Sequence, residues 1–347
     1  MDNQISKLVG GGLKREDLFD KIISLDNLFL AWKEFKRGKS KKSDVQEFAV
    51  NLKRNILNLH RELANKTYKH SDYYSFYVKD PKLRHIHKAC VKDRVLHHAI
   101  FRILYPIFDK TFIFDSYSCR IGKGTHRAVN RFEEFGRKVN RNNSRNCFAL
   151  KCDIKKFFDS IDHKILGDIL GRKIKDENTV WLVEEIIKSF SKVLPLGNIT
   201  SQLFANIYLN EFDKFIKYNL KIKYYIRYCD DFVILDKDRT HLGKLIQKID
   251  VFLQGNLKLH LHPSKTIIRK YRQGIDFLGY VRFPNYRILR ITTKNRAYRK
   301  IKEKFKQMKN GFIGREKFMQ SVNSYLGLLS HCNGFLVKEE IFKIIQS

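Results

Sequence analysis

Acidic residues are few in this sequence. Asp and Glu number 36 against 69 Lys and Arg in 347 residues, a net charge of +33. Like charges at that density repel one another in any compact fold, and a polyanion would offset the cost while releasing its own condensed counterions. Nucleic acid is therefore the leading partner, with a merely soluble basic surface or an anionic membrane surface as the plainer alternatives. Long apolar runs are missing too. Stretches such as Phe232–Leu235 and Ile267–Ile268 are far shorter than the ~20 residues of a membrane span, and the opening MDNQISK has no apolar signal core. The chain is expected to be cytoplasmic, with no membrane partner. Close cysteine pairs are also lacking. Cys90, Cys119, Cys147, Cys152, Cys229 and Cys332 are scattered without a CxxC, so neither a disulfide framework nor a zinc knuckle is indicated. No internal repeat and no low-complexity linker breaks the chain.

What is present is enough to fold. The chain is 43% hydrophobic, ample for a core, which rules out disorder for most of its length, and the length allows two or three domains. From Ile22 to about Asn65 apolar residues recur at helical spacing (Leu25, Leu28, Phe29, Trp32, then Phe48, Leu52, Ile56, Leu59, Leu63), interrupted by the basic turn KRGKSKKS at 36–43. SDYYSFYVKD (71–80) alternates and is rich in aromatics; with Pro81 and the basic segment after it, it predicts a β-hairpin feeding a helix from about Asp93 to Tyr105. SYSCRIGKGTHRA (116–128) reads as a glycine-bearing basic loop before another helix. CFALKCDI (147–154) reads as a buried strand, and YYIRYCDDFVIL (224–235) as two apolar strands folded about a tight acidic turn. KNRAYRKIKEKFKQMKN (294–310) predicts a basic amphipathic helix with Tyr298, Ile301, Phe305 and Met308 on one face, and the composition shift near Ile291 marks a domain boundary. Strands and helices alternate irregularly, which favours α+β.

The sharpest chemical signal is Tyr228-Cys229-Asp230-Asp231. Adjacent carboxylates at a hairpin tip are either a solvated turn or a site awaiting a cation, and the apolar strands on both sides place this turn inside a sheet. Asp153 ends the strand CFALKCDI. Alone it reads equally well as a helix cap, but with the acidic turn it supplies a third carboxylate at a strand terminus. Three such groups suit hard, oxygen-seeking cations, and two Mg²⁺ ions can activate a 3′-hydroxyl while stabilising a leaving pyrophosphate. Asp159 and Asp162 read as capping or surface residues. A phosphate-cradling P-loop is absent, since Gly122-Lys123-Gly124-Thr125 lacks the first glycine at the required spacing. His85/His87 and His260/His262 have no cysteine or acidic partner placed to complete a zinc site, and read as non-metal.

DIKKFF, YCDD, LPLGNITSQLFANIYLN and QGIDFLGY occur in the order of reverse-transcriptase palm motifs, so the chain resembles a reverse transcriptase. More narrowly, PKLRHIHKACVKDRVLHHAI, YPIFDKTFIFDSYSCRIGKGTHRA, LGNITSQ and SYLGLLSHCNG resemble the reverse transcriptases of diversity-generating retroelements, extending the likeness from about Tyr77 to Gly334. LGxxxSQ at 196–202 departs from the QGxxxSP usual in intron, retron and retroviral enzymes, with Leu196 for Gln and Gln202 for Pro. The absence of room after Ser347 for a maturase, RNase H or endonuclease domain is a further expectation against the intron and retroviral readings.

The resemblance implies a right-hand polymerase with N-terminal helices and fingers at 1–146, a palm at 147–290 (165–192 returning in part to the fingers) and a helical thumb at 291–347. It makes Asp153, Asp230 and Asp231 the metal-binding triad, with the Ile154 carbonyl as a further ligand of Mg²⁺, or of Mn²⁺ as a substitute. It makes Phe158 the steric gate against a ribose 2′-hydroxyl, and Arg84, with Lys82 and Lys79 as weaker candidates, the grip on the triphosphate of a dNTP. Phe157 or Phe158 is expected to pack in the core. Lys265 in LHPSKT matches a lysine proposed to protonate pyrophosphate. Leu196, Gly197, Ser201 and Gln202 would border the template and nucleotide, and Ile275–Tyr280, including Gly279, resembles the primer grip. Arg120, Lys123 and His126 offer phosphate contacts. On the last basic helix Lys294, Arg296, Arg299, Lys300, Lys302 and Lys304 offer contacts to an RNA–DNA duplex. The implied activity is RNA-directed DNA synthesis on a structured retroelement template, error-prone at adenines, with an oligomeric accessory protein as partner. An antiphage defence reverse transcriptase, or a non-catalytic RNA-binding scaffold with the same palm, are the alternatives.

Overall fold

The computed structural model describes residues 18–79, 83–190, 194–195 and 197–346. In chain order the elements are α1 (Leu18–Ile23), α2 (Leu25–Phe35), α3 (Ser43–Val50), α4 (Leu52–Ala64), β1 (Tyr74–Lys79), β2 (Leu83–Lys88), α5 (Val91–Asp109), α6 (Thr125–Val139) and β3 (Phe148–Asp153). There follow α7 (His163–Lys173), α8 (Glu177–Lys188), α9 (Ile199–Lys214), β4 (Tyr225–Tyr228), β5 (Asp231–Asp236), α10 (Arg239–Leu257) and β6 (Ile267–Lys270). The chain closes with β7 (Ile275–Phe277), β8 (Tyr280–Arg282), β9 (Arg287–Leu289), α11 (Ile291–Lys309), α12 (Arg315–Leu329) and α13 (Phe335–Gln346). Helices mix with small antiparallel sheets, the α+β class that the irregular alternation predicts. Among the described residues no helix is long and apolar enough to cross a membrane.

Two compact units share the chain: one holds the described residues up to Phe114 with Ile154–Asn219 and Val251–His260, the other Asp115–Asp153, Leu220–Asp250 and the residues from Leu261 on. These units interleave in sequence, whereas the boundaries at 146/147 and 290/291 follow chain order.

In the first unit the helical periodicity of the sequence becomes a helical core. Ser24 caps α2 by accepting from Asn27 N, and Leu28, Ala31, Trp32 and Phe35 form its buried face. On α4 the buried residues are Ile56, Leu59 and Leu63. Helix α9 is apolar nearly all round, burying Leu203, Phe204, Ile207, Tyr208 and Phe212, as a helix enclosed by others must. Asp176 caps α8 and also accepts from Phe19 N at 2.6 Å, tying α1 to α8. The expected hairpin is β1–β2, antiparallel from Tyr74 opposite Lys88 to Lys79 opposite Leu83. Asp162 is a cap as expected: its Oδ1 accepts from Ile165 N at 2.9 Å at the start of α7.

The second unit is built on a four-stranded antiparallel sheet in the order β4-β5-β3-β6. Its Ile226, Val233 and Leu235 join a core with Phe132 and Phe135 of α6, Tyr271, Phe277 and Tyr280. Gly136 of α6 lies so close to the Tyr271 ring that an added Cβ would stand 2.3 Å from it, so only glycine admits that packing. On α11 Ile301 is buried and Tyr298, Phe305 and Met308 pack against the same core, the face predicted from the sequence.

Candidate active site

Tyr228-Cys229-Asp230-Asp231 joins β4 to β5, with Tyr228 opposite Asp231. Cys229 takes φ +57°, a left-handed conformation unfavourable for a side chain other than glycine or asparagine, and it persists only where its surroundings hold it. Arg227 does the holding. Its fully buried side chain donates through Nη1 to the Cys229 carbonyl and through Nη2 to Ser116 Oγ, each at 3.0 Å. Arg227 N also donates to Asp115 O and Tyr117 N to Arg227 O, each at 3.0 Å, so residues 115–117 run parallel beside β4.

Strand β3 delivers the third carboxylate. Asp153 stands directly opposite Asp231 in the β3–β5 ladder, so the two side chains leave the same face of the sheet. Asp153 Oδ1 accepts from Lys265 Nζ at 2.7 Å, and Asp153 caps no helix. Lys151, two positions earlier on the same face, brings Nζ to 3.7 Å from Asp231 Oδ2 and donates to the Asp276 carbonyl at 2.9 Å. Cationic compensation of the acidic turn, expected in general terms, is thus supplied by Lys151 and Lys265. It is incomplete. Burial, and then the charge of Asp153, hold the Asp230 carboxyl above its ordinary range. Burial pushes Asp231 up to about 7, with Asp153 and Asp230 adding to the effect and Lys151 opposing it. Asp231 Oδ1 is buried and has no hydrogen-bond donor.

Among the described residues no three His, Cys, Asp or Glu side chains are already spaced as ligands of one ion. The donor chemistry nevertheless fits a hard cation: three carboxylates, one oxygen of them buried without a donor, suit Mg²⁺ or Mn²⁺ and not a thiophilic metal.

A family model described as reverse transcriptase (RNA-dependent DNA polymerase) matches residues 77–281, more than half of the chain. The chain belongs to the reverse transcriptase family. This reverse transcriptase is 25% identical over 241 residues to Protein YkfC of Escherichia coli (strain K12), covering 57% of this chain and 63% of that one. It is 25% identical over 273 residues to the Group II intron-encoded protein LtrA of Lactococcus lactis subsp. cremoris, covering 57% and 44%. The chain therefore spans less than two thirds of the length of either relative. In fold it is similar to telomerase from Candida tropicalis in complex with the TWJ fragment of telomeric RNA, with a TM-score of 0.50 at 12% identity over 75% of this chain and 53% of that one.

The other sequence-predicted residues of the reverse transcriptase divide between the units. In the first, Arg84 is exposed on β2 opposite Val78, and Lys79 is exposed opposite Leu83. Phe158 lies in a 3₁₀ turn, Phe157–Ser160, entered through Lys156 at φ +47°. Phe157 is buried and Phe158 half-buried, their rings edge to face at 5.2 Å, so one phenylalanine packs in the core as expected. Ile154 is buried, Gly197 takes φ +115°, which glycine permits, and Gln202 is exposed on the first turn of α9. Ser201 is buried with its hydroxyl unpaired. Lys82 and Leu196 lie outside the described residues.

In the second unit, Arg120 Nη1 donates to Ser116 O at 3.0 Å, and Lys123 Nζ stands 5.0 Å from the Tyr117 ring centre. His126 stacks on His331 at 3.6 Å. Leu278 (φ +51°) and Gly279 (φ +88°) form the two-residue loop between β7 and β8, with the two positive φ values of a type I′ turn. The cations of α11 are not equivalent: Lys294 pairs with Glu340 at 3.8 Å and Lys304 bonds Ser321, whereas Arg299 and Lys302 are exposed.

Sequence reasoning missed Lys151, Arg227 and the pair Asp276–Arg290, in which Arg290 Nε donates to Asp276 Oδ1 at 2.7 Å at the start of α11. The usable signal was a lone cation inside an otherwise apolar strand next to a carboxylate, since such a charge is buried only when paired.

Proposed function

We propose that this reverse transcriptase copies a retroelement template RNA into error-prone cDNA by two-metal nucleotidyl transfer. The observation that carries the reading is the meeting of Asp153 and Asp231 across one ladder, with Asp230 in the adjoining turn and Asp231 Oδ1 without a donor. Asp153, Asp230 and Asp231, with the Ile154 carbonyl, would hold Mg²⁺. Bound there, the metal would supply acidification of the primer 3′-hydroxyl and charge neutralisation at the leaving pyrophosphate. The remaining work falls to the chain. Arg84 and Lys82 grip the triphosphate, Phe158 rejects a 2′-hydroxyl, and Lys265 gives a proton to the departing pyrophosphate. Leu196, Gly197 and Gln202 border the nascent pair. Arg120, Lys123, Gly279, Arg296, Arg299 and Lys300 hold template and primer by their backbones, without reading bases. In this reading the fingers, palm and thumb occupy 1–146, 147–290 and 291–347.

The retroelement role rests on LGNITSQ and SYLGLLSHCNG, and with it come a structured template RNA and an oligomeric accessory protein as partners. Primer extension on an RNA template tests the chemistry. Asp230→Asn should abolish synthesis while leaving RNA binding intact, because the fold and the basic surfaces remain. Extension by that variant at the wild-type rate would end the polymerase reading.

A further inference from the structure

Two ammoniums face the three carboxylates, and they are held in different ways. Lys265 gives its hydrogen bond to Asp153 Oδ1 itself, at 2.7 Å, from a short 3₁₀ turn where its side chain is 39% exposed. An ammonium bonded to a ligand oxygen is displaced or redirected once that oxygen takes a cation. Lys151 is not held that way. Its side chain is only 18% exposed, and its Nζ stands 3.7 Å from Asp231 Oδ2, beyond hydrogen-bond reach. The ammonium donates instead to the Asp276 carbonyl at 2.9 Å. The bond that fixes it is therefore made outside the triad, and a cation arriving at the carboxylates does not break it.

The packing of the sheet asks for no charge at this position. Opposite Lys151 lie Val233 on β5 and Ile267 on β6, and an apolar side chain would suit the strand at a lower cost of desolvation. Asp276 is engaged in its turn. Its carboxylate accepts from Arg290 Nε at 2.7 Å, so the residue that anchors Lys151 through its carbonyl has its own charge offset. After burial, Lys151 is the strongest influence on the Asp231 carboxyl and acts to lower it, while Asp276 is among the charges that raise it. A fixed positive charge thus faces one oxygen of Asp231, and the other oxygen, Oδ1, is buried without a donor. In a partly dry site a unit charge a few ångströms from a divalent ion repels it strongly, so three carboxylates beside this ammonium hold such an ion less firmly than they would without it.

We propose that Lys151 is a positioning residue for the metal: a fixed cation that leaves Asp231 Oδ1 as the ligand oxygen and holds the affinity of the triad for a divalent cation down. The inference rests on the two-metal reading in taking the triad as the cation site.

The test is a titration of the full chain with Mn²⁺, the free ion being counted by electron paramagnetic resonance at about pH 8, where ordinary carboxylates are ionised. Lys151→Met should bind Mn²⁺ about tenfold more tightly than the wild type, and Lys151→Arg, which keeps the charge, should stay within about twofold of it. Arg290→Gln leaves the buried sheet untouched but frees the Asp276 carboxylate, and should tighten binding by about two- to threefold. Adding Asp230→Asn to Lys151→Met should abolish the gain, which places the counted ion at the triad. Primer extension by Lys151→Met should reach half its maximal rate at a lower Mg²⁺ concentration. A lysine that merely ties β3 to β7 predicts the opposite sign, since loosening the sheet cannot improve a metal site. A Lys151→Met chain that melts cooperatively and binds Mn²⁺ no more tightly than the wild type therefore overturns the inference. If that variant does not fold, unchanged Mn²⁺ affinity in Arg290→Gln overturns it instead. None of these titrations requires synthesis, so the expected affinities in a chain that extends no primer refute the polymerase reading alone.

Discussion

Lys151 and Asp231 face each other at 3.7 Å, Nζ to Oδ2, and the same ammonium donates to the Asp276 carbonyl at 2.9 Å. One half-buried cation thereby offsets a carboxylate of the acidic hairpin while fastening β3 to β7.

The pair should be measurable as a coupling energy. Lys151→Met is expected to cost about 1–3 kcal/mol in denaturant unfolding, since it leaves the Asp276 carbonyl without its donor and the Asp231 carboxylate without its nearby cation. Asp231→Asn alone should raise the melting temperature by a few degrees, by relieving repulsion from Asp153 and Asp230, the trade of stability for function seen at acidic sites. In the double variant the two effects should fail to add by about 0.5–1.5 kcal/mol. Strict additivity would show that the ammonium serves Asp276 only.

Duplex binding by α11 should depend on the exposed cations. Arg299, Lys302 and Lys306 are exposed at spacings of three and four residues, which puts them on one helical face, whereas Lys294 and Lys304 are engaged within the chain. Replacing the three exposed residues with Gln should lower the slope of log K against log salt on an RNA–DNA duplex by about two to three. Replacing Lys294 and Lys304 instead should disturb stability more than the slope. An unchanged slope in the first variant means that this face of α11 meets solvent or protein.

The two histidines of α5 predict an acid-sensitive first unit. Burial holds His98 at about 4, with Lys39, Arg102 and Arg94 adding to the effect, and holds His97 well below its ordinary value. Unfolded, each returns to 6.5, so between 6.5 and about 4 the unfolded chain binds more protons than the folded one. The stability these neutral rings allow is complete above about 6.5 and lost as the pH falls toward 4. His97→Leu should remove part of that fall, and it should raise the melting temperature at neutral pH by a few degrees, because neither ring nitrogen of His97 has a hydrogen-bond partner. Thermal melts across the pH range check both statements, and parallel curves for variant and wild type would contradict the first.

Fidelity is expected to respond to Leu196. An apolar side chain in place of glutamine cannot check nucleotide geometry by a hydrogen bond worth about 0.5–1.5 kcal/mol, so mispair rejection should relax by several-fold up to about tenfold. Sequencing cDNA made on a defined template should show errors concentrated at template adenines, and Leu196→Gln should lower their number. An error rate untouched by the substitution clears Leu196, and errors spread evenly over the four bases remove the main functional support for the retroelement role.

Much of the acidic site was legible in sequence because it is local. The two apolar runs of YYIRYCDDFVIL, parted by an acidic pair, specify a hairpin, and the adjacent aspartates fall at its tip whatever surrounds it. The 3.6-residue repeats predicted α2, α4 and the buried face of α11 for the same reason: periodicity within one element decides which side turns inward. The cap at Asp162 is equally local, being settled by Ile165 three residues on.

The sequence by itself determined the element types, the positions of the carboxylates and the excess of positive charge. Tertiary structure decided how the charges inside apolar strands are used. Arg227 becomes the brace of the left-handed Cys229 through Ser116, 111 residues away in sequence, and Lys151 meets Asp276 across 125 residues. It also decided that Phe157 is the buried member of its pair and that Asn198 is left with an unpaired amide. Strand and helix periods state which face a side chain leaves, but the partner across that face is chosen by distant segments brought together in folding, and the low dielectric there sets the strength of the contact.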